Sequence, residues 1–448
     1  MPVSVPYQDS TYDTRPSIRV PGDHRGYRGE PAWRHLRERV AAARVSVIDC
    51  YPGVEVPAVL AGLAGAAEVI DVEAEAAWPI ERIDARVAAN LTDDRVFGVL
   101  SHAELAEFYD PAQLDALAAR VRAAAGPVAL VGWGAGLVPV EADLVVLADL
   151  PRWEIQQRMR AGMPNWRSSN GEEDILRKYK RGFFVEWRVA DRHKRTLFDT
   201  MDYILDTTVS VPEAVLVTGD AVREGLRTAV TRPFRVVPFF DPGVWGGQWM
   251  RQVFGLDAET PNFAWCFDCV PEENSLLLDV GQVSVELPAI NLVHTHPIEL
   301  LGPLTHARFG PEFPIRFDFL DTMKGGNLSL QVHPLTGYIQ DKFGMHYTQD
   351  ESYYLLDAGP DAVVYLGLRT GLEPAELMAD LRAAQDGTHQ LEAERYVNTF
   401  PARKHDHFAI PAGTVHCSGA NSMVLEISAT PYIFTFKMWD WGRVGLDG

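Results

Sequence analysis

Near Pro233 the sequence changes its pattern, and that change constrains what can fold on either side of it. From about Pro31 to Pro233, short apolar runs alternate with longer segments rich in Ala, Leu and Arg. Residues 45–49 read as a buried strand by their β-branched content, followed by a turn at Tyr51-Pro52-Gly53 and a helix through 58–63. A helix over 110–125 precedes a strand at Val128–Gly132, and 144–147 is a further apolar run. Such alternation predicts an α/β domain with a parallel sheet. Beyond Pro233, apolar runs of three to six residues, such as Leu276-Leu277-Leu278 and Val363–Leu368, are punctuated by Gly and Pro. That pattern predicts an all-β barrel or jelly roll, with one helix over 374–384. The expected division of the 448 residues is an irregular arm over 1–25, an α/β domain over 26–232 and an all-β domain over 233–448.

Charge narrows the function. Acidic residues outnumber basic ones by 61 to 41, a formal charge of −20. Nucleic acid and anionic membrane surfaces would both repel such a chain, so neither is an expected partner. No run of 18 apolar residues occurs and the first 30 residues lack an apolar core, so neither a membrane span nor a secretory signal is expected. Four cysteines, Cys50, Cys266, Cys269 and Cys417, are too few for a disulfide scaffold and suit a reducing cytoplasm. Cys266 and Cys269 form a single CxxC without a second pair, and read as core residues of a strand.

The first half carries loops that stop short of nucleotide chemistry. Gly132-Trp133-Gly134-Ala135-Gly136-Leu137 follows a strand, but Leu137 replaces the third glycine of a dinucleotide fingerprint and Trp133 is bulky where a pyrophosphate would approach. The turn Asp49–Glu55 sits where a phosphate loop would lie, yet holds no lysine and no hydroxyl for magnesium. The layout resembles a P-loop nucleoside-kinase core without its chemistry, which implies a structural or regulatory role. The most basic stretch, 177–188 continuing to Arg192-His193-Lys194-Arg195, reads as a solvated Arg-rich helix face with Phe183, Phe184 and Trp187 buried. Its alternative is a phosphate-binding surface.

The second half carries the chemistry. In Leu328–Pro334, Gln331 and His333 are two apart and share one face of a strand. Glu351 opens the strand 351–356, and Pro411-Ala412-Gly413-Thr414-Val415-His416 is a turn that aims a histidine. An amide, two imidazoles and a carboxylate would leave coordination positions open on one divalent metal, zinc by donor type, with iron, manganese or cobalt alternatives. The pairs His294/His296 and His405/His407 have the same spacing but no such company, and read as surface or hydrogen-bonded residues.

The region from about Val236 to Arg443 resembles the class I phosphomannose isomerases, which are zinc-dependent cupins. The likeness runs through 238–247 (PFFDPGVWGG), 313–321 (FPIRFDFLD), 328–334 (LSLQVHP), 351–356 (ESYYLL), 411–416 (PAGTVH) and 438–443 (MWDWGR). It implies Gln331, His333, Glu351 and His416 as metal ligands, Ser329 beside a sugar phosphate and Glu426 in the pocket. The implied reaction interconverts mannose 6-phosphate and fructose 6-phosphate through a cis-enediol. Two positions depart from the family: Gln349 stands where it has a catalytic lysine, and Lys437 where it has an arginine. An amide does not shuttle protons near neutral pH, and an ammonium lacks the guanidinium fork. His346, Lys342 or Asp350 are candidate proton carriers, and Arg443 a second cation for the phosphate. The expected function is a metal-dependent hexose-phosphate isomerase with Glu426, Lys437 and His346 at the reacting centre. The alternative is a non-catalytic cupin that binds metal and sugar phosphate in a regulatory role.

Overall fold

A computed structural model describes residues 12–445 apart from Ile433. The chain divides into two compact units that exchange sequence. The first is Pro16–Val236 together with Pro271–Glu312; the second is built on Val237–Val270 and the chain from Phe313 onward. The chain passes between the units after Val236 and does so again after Val270 and after Glu312, so neither unit is one continuous segment. Of the expected arm, residues 1–11 lie outside the described residues, and Ser17–Arg19 is a strand rather than irregular chain. It pairs in parallel with Ser275–Val280, which is antiparallel to Val283–Pro288. Ile18 and Val20 are thereby buried with Leu276 and Leu278, so the Leu276–Leu278 run belongs to the first unit's core and not to the all-β half.

Five parallel strands form the centre of the first unit: β1 (Val45–Cys50), β2 (Glu68–Asp71), β3 (Val128–Gly132), β4 (Leu144–Asp149) and β5 (Tyr203–Asp206). Their order is β5-β4-β1-β3-β2, extended beyond β5 by the antiparallel edge strands Val215–Thr218 and Gly26–Arg28. β1 and β3 are buried along their whole length, as strands covered on both faces must be, which is why they read as continuous apolar runs. The helix expected over 110–125 is Pro111–Ala123, started by the Asp110 carboxylate accepting from the N–H of Ala112 at 2.9 Å. In the glycine loop after β3, the N–H of Gly136 donates to Asp49 at 2.9 Å. An internal carboxylate thus occupies an amide that a dinucleotide phosphate would need.

The basic stretch departs from its expected solvated face. Helix Ile175–Arg181 passes through a π turn at Gly182–Glu186 into helix Trp187–Arg195. Phe183, Phe184 and Trp187 are buried as expected, but so are Lys178, Lys180, Arg181 and Lys194. The physical reason is local: the Lys178 ammonium donates to the carbonyls of Met159 (2.5 Å) and Gly171 (2.7 Å), Arg181 is paired with Glu186 at 2.8 Å, and Lys194 lies 3.1 Å from Asp149. Buried charge is tolerated where it is bonded.

The second unit has two antiparallel sheets around one apolar core. One contains β6 (Ile315–Asp321), β8 (Asp350–Ala358) and β10 (Ser422–Ala429), in the order β8-β10-β6. The other contains β7 (Leu330–Val332), β9 (His416–Ser418) and β11 (Phe436–Trp439), in the order β9-β7-β11. The expected helix over 374–384 is Pro374–Gln385. Among the described residues no helix is long and apolar enough to cross a membrane.

Candidate metal centre

The strand period places the donors. Gln331 on β7 sits opposite His416 at the start of β9, so the two share a face. His333 follows Gln331 by two residues, and Glu351 faces inward near the start of β8. Donor atoms of His333, Glu351 and His416 all lie within 4.8 Å of one another, and all three residues are buried. The amide nitrogen of Gln331 is 3.4 Å from Nε2 of His416.

Backbone carbonyls fix both imidazoles. Nδ1 of His333 lies 2.7 Å from the carbonyl of Phe434, and Nδ1 of His416 lies 2.8 Å from that of Thr414. A carbonyl only accepts, so each Nδ1 carries a proton and each Nε2 turns toward the shared point, the arrangement that metal-binding histidines adopt. Glu351 meets them there: Oε2 is 2.9 Å from Nε2 of His333, and Oε1 is 2.8 Å from Nε2 of His416. Yet among the described residues Oε1 has no aligned hydrogen-bond partner, a buried polar atom of the kind that a cation satisfies. The donor set and this orphaned oxygen fit a divalent ion.

Gln349 has both ends of its amide engaged. Its nitrogen donates to Oε2 of Glu351 at 2.9 Å, and its oxygen accepts from the N–H of Phe434 at 3.0 Å. It therefore orients the Glu351 carboxylate. The same Phe434 peptide holds His333 through its carbonyl, so one residue braces two donors.

Register adds two residues that sequence reasoning missed. Asp318 on β6, Glu426 on β10 and Tyr353 on β8 stand side by side across the sheet, and all are buried. The Tyr353 hydroxyl has no hydrogen-bond partner among the described residues, and its ring lies 5.9 Å from that of His416. Burial, then the charges of Asp318 and Glu351, push the Glu426 carboxyl well above the usual range; burial and Glu351 do the same to Asp318. Burial also opposes ionisation of Glu351, but the two imidazoles outweigh it and hold that carboxyl low. The signal for Asp318 was present as a lone carboxylate between Phe317 and Phe319.

The remaining candidates separate into two groups. Ser329, Lys437 and Arg443 converge on Asp440: the Ser329 hydroxyl donates to Oδ1 at 2.8 Å, Lys437 Nζ is 3.5 Å from Oδ2, and the Arg443 guanidinium bonds Oδ1. Lys437 is opposite Gln331 across the β7/β11 pair. His346 and Lys342 are exposed, with Lys342 3.2 Å from Asp341, and neither joins the donor cluster. Asp350 accepts from the N–H of Ala412 at 2.9 Å and braces the turn before His416. Cys266 is buried and Cys269 half-buried. His405 lies 2.7 Å from the Tyr354 hydroxyl and His407 is exposed, whereas His294 lines a cavity in the first unit.

Comparisons with known proteins divide along the same chain. A family model described as a domain of unknown function (DUF8485) matches residues 32–231. The chain is also similar, over about half its length, to class I mannose-6-phosphate isomerases. It is 27% identical to the mannose-6-phosphate isomerase of Streptococcus mutans over 207 residues, 46% of this chain and 60% of the relative. It is 25% identical over 219 residues to mannose-6-phosphate isomerase ManA of Bacillus subtilis, covering 49% and 64% of the two chains. The chain thus spans less than two thirds of these relatives' length. A solved structure of the Bacillus subtilis mannose 6-phosphate isomerase is matched at a TM-score of 0.40 and 21% identity, over 48% of this chain and 63% of that one.

Proposed function

We propose that the second unit is a metal-dependent cupin isomerase of a hexose phosphate, converting mannose 6-phosphate to fructose 6-phosphate. The observation that carries this reading is the convergence of two carbonyl-anchored imidazoles and Glu351 within 4.8 Å, beside Gln331. The likeness to named isomerases supports it. Gln331, His333, Glu351 and His416 would hold a divalent ion, zinc by donor type, which supplies a Lewis acid for the sugar oxygens.

The remaining work falls to side chains. In an aldose-to-ketose step the C2 proton moves to C1 and the O2 proton moves to O1, so atoms balance with no outside reactant. Glu426, buried on the inner face beside Tyr353, is the group we assign to the carbon-bound proton. Lys437, with Ser329 and Arg443 gathered on Asp440, presents positive charge for the phosphate. His346 is exposed outside the cluster, and we give it no part in the step.

A second reading has an observation of its own. Gln349 is committed at both ends to holding Glu351 and Phe434, so the position where relatives of this family carry a catalytic lysine performs no proton transfer here. A non-catalytic cupin that binds metal and sugar phosphate in a regulatory role would look the same. Fructose 6-phosphate formation by the zinc-loaded full chain, with and without chelator, separates the two. Turnover abolished by chelator supports the isomerase. Sugar-phosphate binding with neither turnover nor deuterium exchange at C2 overturns it in favour of the binding protein.

A further inference from the structure

The first unit contains a cavity of about 220 Å³ whose wall carries four guanidinium groups, those of Arg152, Arg188, Arg192 and Arg195. Three of the four come from one face of helix Trp187–Arg195, and Arg152 begins the helix after β4. Against these four guanidinium groups the lining sets three carboxylates, Asp191, Glu272 and Glu312, with Glu272 acting on both Arg152 and Arg188. Asp191 is spent on Arg152, at 2.5 Å, and on the Tyr51 hydroxyl, at 2.9 Å. Glu312 reaches Arg188 only to 3.6 Å, and Glu104 reaches Arg192 only to 3.7 Å, both beyond a charged hydrogen bond.

Donors are left over inside. Arg152 is 2% exposed, yet among the described residues its Nε and Nη1 have no hydrogen-bond partner. Nε of Arg188, Nε of Arg192 and Nδ1 of His294 are also buried without one. A desolvated donor without an acceptor costs about 1–3 kcal/mol, more when charged, so several around one cavity point to an acceptor-rich occupant. Burial, with the surrounding cations, pushes His294 down to about 3, which keeps its ring neutral.

The cavity also lies where an open parallel sheet binds ligands. The chain leaves β1 toward β2 at one edge and leaves β4 toward β5 at the other, so connections from these neighbours run in opposite directions. Tyr51 and Arg152 follow the carboxyl ends of those two strands and meet on Asp191. Ligands of doubly wound folds sit at such a switch point.

We propose that this cavity is a second ligand site, one that binds the phosphate group of a small metabolite. Forked guanidinium groups match the oxygens of a phosphate, and the volume falls below the ~300–1,000 Å³ of sites for drug-sized ligands. Its four arginines belong to the region matched by the domain of unknown function, and the rest of the site to the same unit, whereas His333, Glu351 and His416 belong to the other.

The test uses inorganic phosphate, titrated calorimetrically into the full chain carrying Lys437→Gln, so that the other unit's phosphate contact is weakened. Saturable binding is expected. Arg188→Gln and Arg192→Gln should each weaken it about tenfold. Because Arg188 packs over Phe183 and its loss can perturb folding, Glu312→Gln supplies a variant of opposite sign. Removing the carboxylate 3.6 Å from Arg188 should tighten phosphate severalfold. Absence of saturable binding, or unchanged affinity in Glu312→Gln and in the folded arginine variants, overturns the proposal. Competition by a hexose 6-phosphate then tells the source: displacement identifies a phosphate ester, and none identifies free phosphate.

Discussion

Gln349 shows how much one side chain can decide. Its amide donates to Glu351 and accepts from the Phe434 peptide, whose carbonyl fixes His333. Replacing it by alanine releases two donors at once while leaving every proposed metal ligand in place. Partners of this kind are worth about 10–100-fold in metal affinity, so Gln349→Ala should weaken zinc binding within that range. Competition against a chromophoric chelator measures it; an unchanged affinity would mean that Glu351 is held by the fold alone. A lysine there would keep a donor toward Glu351 but lose the acceptor for the Phe434 N–H. Gln349→Lys should therefore also bind zinc more weakly, whatever it does to turnover, and the same titration reads it. At this scale the sequence was legible wherever spacing along one strand sufficed. Gln331 and His333 share a face because strand side chains alternate. The place of Asp318 and Tyr353 beside Glu426 was not legible, because it follows from register between strands distant in sequence.

Among elements, the least legible was the basic helix pair. A run of lysines and arginines reads as solvated because burial of charge is costly, and the carbonyls that receive Lys178 come from Met159, Met163 and Gly171, none within its own turn. By contrast, β1 was legible from its β-branched content, and β3 and β4 as short apolar runs, since strands covered on both faces need no alternation. The end of β5 yields a pH prediction. Asp206 is buried and accepts from the N–H groups of Thr208 and Glu286 at 2.8 Å each, tying the parallel sheet to the strand Val283–Pro288. Burial pushes its carboxyl from 3.8 to about 6. The folded state therefore keeps a proton that the unfolded chain has already released. This group's contribution to stability is most favourable below pH 3.8 and declines as pH rises toward about 6. The full decline is about 3 kcal/mol at most. In Asp206→Asn, which cannot titrate, the change in unfolding free energy from pH 4 to pH 7 should be more positive than in the parent chain. An identical pH slope in both would show that Asp206 ionises normally.

At the scale of the molecule, the interleaved chain makes a stronger statement than a simple boundary would. Residues 271–312 leave the all-β half to complete the core of the α/β half, where Leu276, Leu278, Val285 and Leu287 pack with Ile204, Val217 and Leu226. A local reading cannot anticipate this, because short apolar strands look alike whichever core they enter. Each unit nevertheless keeps its own buried cluster, and the proposed metal donors all belong to the second unit. Zinc at a hundred times its dissociation constant should then stabilise the second unit by about 2.7 kcal/mol, through mass action on the folded state. Native-state hydrogen exchange locates the effect. Amides of β7–β10 that exchange only by unfolding of their unit should slow by about a hundredfold, while those of β1, β3 and β4 keep their rates. Equal slowing in both sets would show that the units unfold as one body. No slowing in β7–β10 would show that Gln331, His333, Glu351 and His416 do not hold the ion, and the isomerase reading would lose its centre.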